Sequence, residues 1–234
     1  MATVLGLDSA TSDVAVAVTS GGEVRAQRSI GRPSGERPRH GSALLAAVED
    51  VVDESGGWPT IERIAVGVGP GSFTGLRIGL ATAKALAQGR RLPLRGVSSL
   101  AALGRGIGEQ TAAIDRCRLA VIDARRDEVF ASLYGVDGEA IWGPVVLPPG
   151  ELAKKMEAAA SPVLAAGDGA LRFRRELEVG VVEVLPDSST AHRLSARYVC
   201  LLSSTSSATA ARVEPVYLRQ PDAKRWRDRD HGNP

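Results

Sequence analysis

The chain of 234 residues carries 29 basic and 27 acidic side chains, a net charge of +2, and 44% of its residues are hydrophobic. This balance excludes a global electrostatic attraction to nucleic acid or to an anionic membrane, and no segment approaches the roughly 18 apolar residues that span a bilayer. The two cysteines lack CxxC spacing and are expected to be buried thiols in a reducing compartment. We therefore expect a globular, cytoplasmic protein with no signal peptide.

The first half of the chain predicts three strands followed by alternating helices and strands. Two of those strands are joined by Gly21-Gly22, which is typical of a β-hairpin. Apolar residues at helical spacing then predict a helix that contains residues 44–52. The predicted elements, in chain order, are strands 4–7, 14–19 and 24–29, this helix, strand 61–68, helix 74–88, strand 92–97 and a helix after Ser98-Ser99.

The second half repeats this order. Asp8 ends the first strand and aligns with Asp123, and in both halves a valine begins the next strand six positions later. Each half also has a hairpin glycine and a later strand that ends in a glycine turn. This duplication predicts an α/β, actin-like ATPase (ribonuclease-H-like) fold with two lobes, mixed central sheets and a cleft. We expect lobes over residues 1–100 and 101–190, a closing helix (191–203) and strand (214–219), and a flexible tail over 220–234.

The segment Gly69-Pro70-Gly71-Ser72 joins a predicted strand directly to a helix. Unpaired N–H groups and the helix dipole converge at such a junction, which makes it a natural anion site, although the lysine of a Walker loop is absent. Asp8 and Thr11 resemble the first phosphate motif of actin-like ATPases, so Asp8, Thr11, Gly69, Gly71 and Ser72 are candidate nucleotide-binding residues. The alternative is that Asp8 and the glycines serve their own turns, and that Ser72 or Thr74 caps the helix.

Catalytic and metal-binding patterns are absent from the sequence. None of the three histidines, His40, His192 and His231, has a second ligand at metal-binding spacing. Ser72 lacks the Gly-x-Ser-x-Gly context of a hydrolase nucleophile. The sequence therefore predicts no metal site and no catalytic residue. The arginines of the loop 31–39 and of the tail 224–229 are expected to be solvated.

A stripe of small residues follows the glycine turn, because Gly75, Gly79, Ala83 and Ala87 recur every four residues on the predicted helix. Glycine inside a helix costs about 1 kcal/mol relative to alanine, and close approach of another backbone would explain the stripe. Two interpretations stay open. The stripe packs on the preceding helix of the same lobe, or both helices present an apolar seam to another protein.

These segments together resemble the TsaB (YeaZ) family, a bacterial subunit required for threonylcarbamoyladenosine formation beside the tRNA anticodon. The resemblance covers nearly the whole chain, and the run from Gly69 to Gly79 is its most specific part. The matching segments are residues 7–11, His40 with Leu44-Leu45, and residues 69–79, 96–100, 123–130 and 215–219.

The resemblance implies a subunit without catalysis of its own that pairs with TsaD, the metal-containing subunit that transfers the threonylcarbamoyl group. An ATPase subunit, TsaE, joins them, so ATP or ADP with magnesium belongs to the complex, this chain has no cofactor of its own, and tRNA is reached only through the complex. The same seam supports a homodimer. The implied seam residues are Leu44, Ala47, Val48, Val51, Gly75, Arg77, Gly79, Ala83 and Ala87.

Two other classes of function remain at this point. The first is a stand-alone actin-like kinase or ATPase that uses the turn between Asp8 and Thr11. The second is a glycoprotease-like peptidase, which would need a histidine base for Ser72.

Overall fold

The computed structural model describes residues 2–31, 40–111, 115–159, 161–204 and 213–219. The first lobe contains β1 (Thr3–Asp8), β2 (Val14–Ser20), β3 (Glu23–Ile30), α1 (His40–Glu54), β4 (Arg63–Gly67), α2 (Phe73–Arg90), β5 (Leu94–Val97) and α3 (Ser99–Thr111). The second contains β6 (Cys117–Arg125), β7 (Glu128–Tyr134), β8 (Ala140–Leu147), α4 (Pro149–Glu157), β9 (Val163–Ala166), α5 (Asp168–Arg172), α6 (Arg174–Leu177), β10 (Val182–Val184) and α7 (Ala196–Leu202).

Each lobe is built on a five-stranded sheet, and the two sheets have the same strand order. The first is ordered β3-β2-β1-β4-β5 and the second β10-β9-β6-β7-β8, so that β6 corresponds to β1 and β9 to β4. In both sheets the first strand pairs antiparallel with the second and parallel with the fourth. The predicted duplication and the predicted two-lobed α/β fold with mixed sheets are therefore confirmed.

The helices cover the sheets in layers. On the outer face of the first sheet, α1 and α2 bury Leu44, Val48 and Leu80 against β1, β2 and β4. On the outer face of the second sheet lie α4, α5 and α6. Between the sheets, α3 packs on β6 and β7 while α7 packs on β1 and β2. Each lobe thus sends its last helix to the sheet of the other lobe, which joins the two lobes through one shared core.

Two elements that the sequence predicts near the end of the chain are wrong. The predicted helix 191–203 is a 3-10 turn over Thr190–His192 followed by α7, and residues 193–195 between them are not helical. Residues 214–219 form no strand, although they cross between the lobes as described below. Of the two cysteines, Cys200 is buried and Cys117 is half-buried. The loop 32–39 and the tail 220–234 lie outside the described residues.

The stripe of small residues on α2 is directed inward. A Cβ atom on Gly75 would overlap the carbonyl oxygen of Ser9, and one on Gly79 would overlap the Ser9 hydroxyl oxygen. Ser9 Oγ donates to the Gly75 carbonyl at 2.8 Å. Gly75 and Gly79 therefore let the turn after β1 lie directly against the helix. Ala83 and Ala87 are buried in the core cluster that includes Leu44 and Val48 of α1, so this end of the stripe faces the core shared with the preceding helix. A bulky residue at Gly79 would disturb the lobe itself.

We predict that two glycine-to-alanine changes within α2 affect the free energy of unfolding differently. Gly75→Ala places a methyl group on the Ser9 backbone and should lower the free energy of unfolding by about 1–3 kcal/mol, because overpacking forces backbone shifts. Gly89→Ala has nothing within 4 Å of the added carbon and should be neutral or raise it by up to about 1 kcal/mol. Urea unfolding measures both. Equal tolerance of the two changes would contradict the packing described here.

Candidate functional site

A cleft of about 230 Å³ lies between the two lobes. One wall is formed by the turn after β1 and the first turn of α2, and the opposite wall by the ends of β6 and β9. Residues of the C-terminal segment 213–219 line it as well. The residues that line the cleft include Ala10, Thr11, Gly71, Ser72, Phe73, Asp123, Arg125, Asp168, Tyr217 and Arg219.

The glycine turn before α2 is filled by the chain itself. The Ser72 N–H donates to the Ala10 carbonyl at 2.6 Å, and the Gly75 N–H donates to Ser72 Oγ at 3.3 Å. A Cβ on Gly71 would overlap the Ala10 carbonyl oxygen. Two N–H groups that could bind an anion are thus already paired, and the prediction that Ser72 caps the helix is confirmed.

Asp8 lies beneath the cleft and does not line it. Its Oδ1 accepts from the Ala10 N–H at 2.7 Å, and its Oδ2 accepts from the Ser99 hydroxyl at 2.7 Å. Burial raises the pKa of Asp8 to about 6, against the lowering effect of these hydrogen bonds. Gly67 makes room for the carboxylate, because a Cβ there would overlap Asp8 Oδ2.

The five candidate nucleotide-binding residues are therefore divided by the structure. Thr11, Gly71 and Ser72 line the cleft. Asp8 and Gly69 are buried, and the Gly69 carbonyl accepts from the Ser99 N–H at 2.9 Å. In this conformation the two carboxylate oxygens of Asp8 hold the turn and α3 and do not face the cleft.

The opposite wall repeats the same local geometry in a charged form. Asp123 Oδ1 accepts from the Arg125 N–H at 2.8 Å, as Asp8 does from the residue two positions later. Unlike Asp8, Asp123 is held by the Arg172 guanidinium, with the Nη1 atom 3.0 Å from Oδ2. The Asp123 N–H donates to Asp168 Oδ1 at 2.9 Å. Burial, reinforced by the charge of Asp123, raises the pKa of Asp168 to about 6.

We name residues 213–219 the C-terminal strap, because they connect the lobes across the cleft. Val213 is buried in the core of the first lobe, and the Val216 N–H donates to the Val68 carbonyl at 2.8 Å. The Tyr217 ring packs on Phe73 with the centroids 5.0 Å apart. Arg219 reaches the second lobe, where its Nη1 lies 3.0 Å from Glu128 Oε2.

The outer surface of α1 and α2 is a second candidate site. Most of the seam residues implied by the resemblance are buried within the lobe and cannot meet a partner in this conformation. These are Leu44, Ala47, Val48, Val51, Gly75, Gly79, Ala83 and Ala87. Arg77 is exposed. Other residues of the two helices are exposed, and we name Leu45, Ala46, Arg77, Ala81 and Ala85 the outer face. Leu45 is 46% exposed.

Sequence reasoning singled out the two helices of the outer face, and the stripe residues that it named lie on their buried side. A period of four residues places side chains on one side of a helix without saying whether that side faces the sheet or the solvent. The strap was predicted as a closing strand over residues 214–219 and as segment 215–219 of the family resemblance, whereas its contacts with Phe73 and the second lobe were not predicted. Asp123 and Arg125 entered the sequence analysis through the alignment of the two halves and the family resemblance, and Arg172 was not singled out.

Within residues 2–31, 40–111, 115–159, 161–204 and 213–219, no three His, Cys, Asp or Glu side chains are grouped so that they could hold a metal ion. None of the helices in that part of the chain combines the length and the apolar character needed to cross a membrane.

The chain is similar to known proteins both in sequence and in fold. The family model described as "TsaD: tRNA N6-adenosine threonylcarbamoyltransferase" matches residues 32–223. The "tRNA threonylcarbamoyladenosine biosynthesis protein TsaB" of Escherichia coli is 39% identical over 141 residues, which are 59% of this chain and 58% of that protein. The solved structure of YeaZ from Pseudomonas aeruginosa superposes with a TM-score of 0.75 and 28% identity, covering 93% of this chain and 100% of that chain.

The alignment thus spans little more than half the length of the Escherichia coli relative. The ROK hexokinase of Thermus thermophilus also superposes, with a TM-score of 0.52 and 14% identity, over 87% of this chain and 99% of that one. At this identity the likeness shows the fold alone, which is that of the actin-like ATPases and sugar kinases.

The buried carboxyl of Asp8 predicts a specific pH dependence of stability. Its pKa is raised from 3.8 to about 6 in the folded protein, so the folded state holds the proton more tightly and loses stability as the pH rises from about 4 to 6. Asp8→Asn removes this contribution. The stability of the variant relative to the native protein should therefore increase over that range by up to about 1.4 kcal/mol per pH unit and stay constant above it.

Urea unfolding of both proteins between pH 4 and pH 8 measures this difference. Asp115→Asn, which removes a carboxyl group at an exposed position, is the control for the loss of one negative charge. A difference between Asp8→Asn and the native protein that is flat, or that falls with rising pH, would show that the Asp8 carboxyl is not buried as described.

Proposed function

The chain belongs to the TsaB (YeaZ) family, and from this we propose that it is a non-catalytic subunit for threonylcarbamoylation of adenosine next to the anticodon of tRNA. Its partner in this proposal is a TsaD-type protein that carries out the transfer. The names of the TsaB relatives place those proteins in this tRNA modification. The observation that carries the proposal for this chain is the exposed outer face.

The outer face has the composition of a surface that is covered in an assembly. Leu45 is 46% exposed and lies on the same helix as exposed Ala46, while α2 beside it presents Ala81 and Ala85. Small and apolar side chains permit the helices of another protein to approach closely. Charged residues of opposite sign, Asp50 on α1 and Lys84 on α2, are exposed on the same two helices, and protein interfaces have a polar rim of this kind.

The proposal assigns the chemistry and the nucleotide to other subunits. No metal-binding group of three side chains occurs in the part of the chain that the structure describes, and the catalytic subunit is the TsaD-type partner. A TsaE-type ATPase joins the assembly, and ATP or ADP with magnesium binds at the level of the complex. The tRNA is contacted through the complex. Without its partner, the outer face supports a homodimer.

A stand-alone ATPase or kinase is the competing function, and the cleft argues against it. The Asp8 carboxylate is buried beneath the cleft, the Ser72 N–H is paired with Ala10, and the strap lines the space where a nucleotide would enter. The peptidase function has less support, because Ser72 caps α2 and accepts from the Gly75 N–H.

We predict that a charge at Leu45 disrupts the complex without unfolding the subunit. Leu45→Glu should weaken binding to the TsaD-type partner by about 30-fold or more, because an unpaired carboxylate would be desolvated in the interface. The matched control is Val136→Glu, which places the same charge on an apolar residue of the second lobe that is 49% exposed. Calorimetric titration gives both affinities. If both variants bind as tightly as the native subunit, the outer face is not the interface.

We also predict that the isolated chain binds no magnesium ATP. Calorimetric titration of the isolated protein with magnesium ATP up to millimolar concentration should show no saturable heat, because the Ser72 and Gly75 N–H groups at the glycine turn are paired within the chain. Saturable binding that is lost in Asp8→Asn would favour the ATPase function instead. Thermal unfolding of the same variant verifies that it remains folded.

A further inference from the structure

We propose that docking of the C-terminal strap in the cleft organises one end of the outer face, so that strap docking and partner binding strengthen each other. This inference rests on the proposed function, because it concerns the same partner. Its physical content is a coupling between two sites of the chain: the cleft, in which the strap lies, and the first turns of α2, where the strap meets the outer face.

The strap is held by both lobes. In the first lobe Val213 is buried and the Val216 N–H donates to the Val68 carbonyl at 2.8 Å. In the second lobe Glu128, the first residue of β7, forms an ion pair with Arg219 at 3.0 Å. The side chains of this pair are 27% and 32% exposed, so the pair is partly shielded from water. Loss of either attachment would allow the strap to leave the cleft.

The strap touches the outer face through a stack of three side chains. The Tyr217 ring packs on Phe73, and the Arg77 guanidinium carbon lies 3.8 Å from the centroid of the same Phe73 ring. Arg77 Nε donates to the Tyr217 hydroxyl at 3.4 Å. Tyr217 therefore fixes the orientation of an exposed, flexible arginine that belongs to the outer face.

Arg77 lies four residues before Ala81 and eight before Ala85 on the exposed side of α2. An arginine that is already ordered loses less conformational entropy when a partner covers it, and this increases affinity. With the strap undocked, Phe73 would lose its aromatic neighbour and Arg77 its hydroxyl acceptor. The partner would then have to bear the cost of ordering this end of the surface.

Thermodynamic linkage makes the coupling reciprocal. If strap docking strengthens partner binding by some factor, partner binding must stabilise the docked strap by the same factor. Hydrogen exchange of the Val216 amide reports docking, because this N–H is bonded to the Val68 carbonyl only when the strap is in place. Partner affinity reports the other side of the coupling.

The decisive variant is Glu128→Gln, which weakens the attachment in the second lobe and changes nothing on the outer face. We expect its affinity for the TsaD-type partner to fall by about 3- to 10-fold, a coupling at the lower end of the usual range, and exchange at Val216 to become faster. Glu183→Gln is the matched control, because it removes the Arg116–Glu183 ion pair elsewhere in the same lobe. It should change neither quantity.

A second variant separates the stack from the ion pair. Tyr217→Phe keeps the ring on Phe73 and removes the hydroxyl that Arg77 contacts, so it should weaken partner binding while exchange at Val216 stays close to the native rate. Addition of the partner to the native protein should slow Val216 exchange.

The outcomes are distinct. Faster exchange in Glu128→Gln with unchanged affinity would overturn the coupling while leaving the proposed function intact. Unchanged exchange and affinity in both variants would overturn the role of the strap altogether. If the native chain does not bind the partner, the proposed function itself fails.

Discussion

The fold depends on the contact between the turn after β1 and the first half of α2. Ser9 and Ala10 lie directly on Gly71, Gly75 and Gly79, at distances that no side chain carbon could share. Two hydrogen bonds cross this contact, one from Ser72 N–H to Ala10 and one from Ser9 Oγ to Gly75. The contact places α2 on β4, orders the wall of the cleft and turns the opposite side of the helix outward. The packing that occupies the glycine turn with residues of the same chain therefore also leaves the opposite side of α2 exposed.

Comparison of the two lobes shows how a duplicated fold acquires different chemistry in each half. Asp8 is the last residue of β1 and Asp123 lies near the end of the equivalent strand β6, and each accepts an N–H from the residue two positions later. Asp8 is buried and bonded to the Ser99 hydroxyl, whereas Asp123 faces the cleft and pairs with Arg172. The Asp8 carboxylate of the first lobe is thus buried in the core of that lobe, whereas the Asp123 carboxylate lies on the cleft wall that the second lobe forms. This arrangement suits a cleft that is closed by a segment of the same chain.

Local patterns in the sequence were sufficient for the architecture and insufficient for the surfaces. The order of elements along the chain, the duplication and the cap at Ser72 follow from alternation, glycine turns and a hydroxyl before a helix, which are features of neighbouring residues. The side on which Gly75 and Gly79 lie depends on Ser9, and the strap depends on Tyr217 meeting Arg77, which are 140 positions apart. No periodicity encodes such pairs. The start of α7 was predicted wrongly for a related reason. The apolar residues within 191–203 suggest one helix, but a 3-10 turn and three non-helical residues precede α7.

The central claim is that this chain supplies a surface and that its partner performs the reaction. Formation of threonylcarbamoyladenosine in unmodified tRNA, measured by mass spectrometry of the nucleosides, tests it most directly when the purified chain is assayed alone, with the TsaD-type and TsaE-type proteins, and omitted from that mixture. The account predicts modified nucleoside only in the complete mixture. Modified nucleoside formed by the chain alone, or formed equally well without it, would contradict the account.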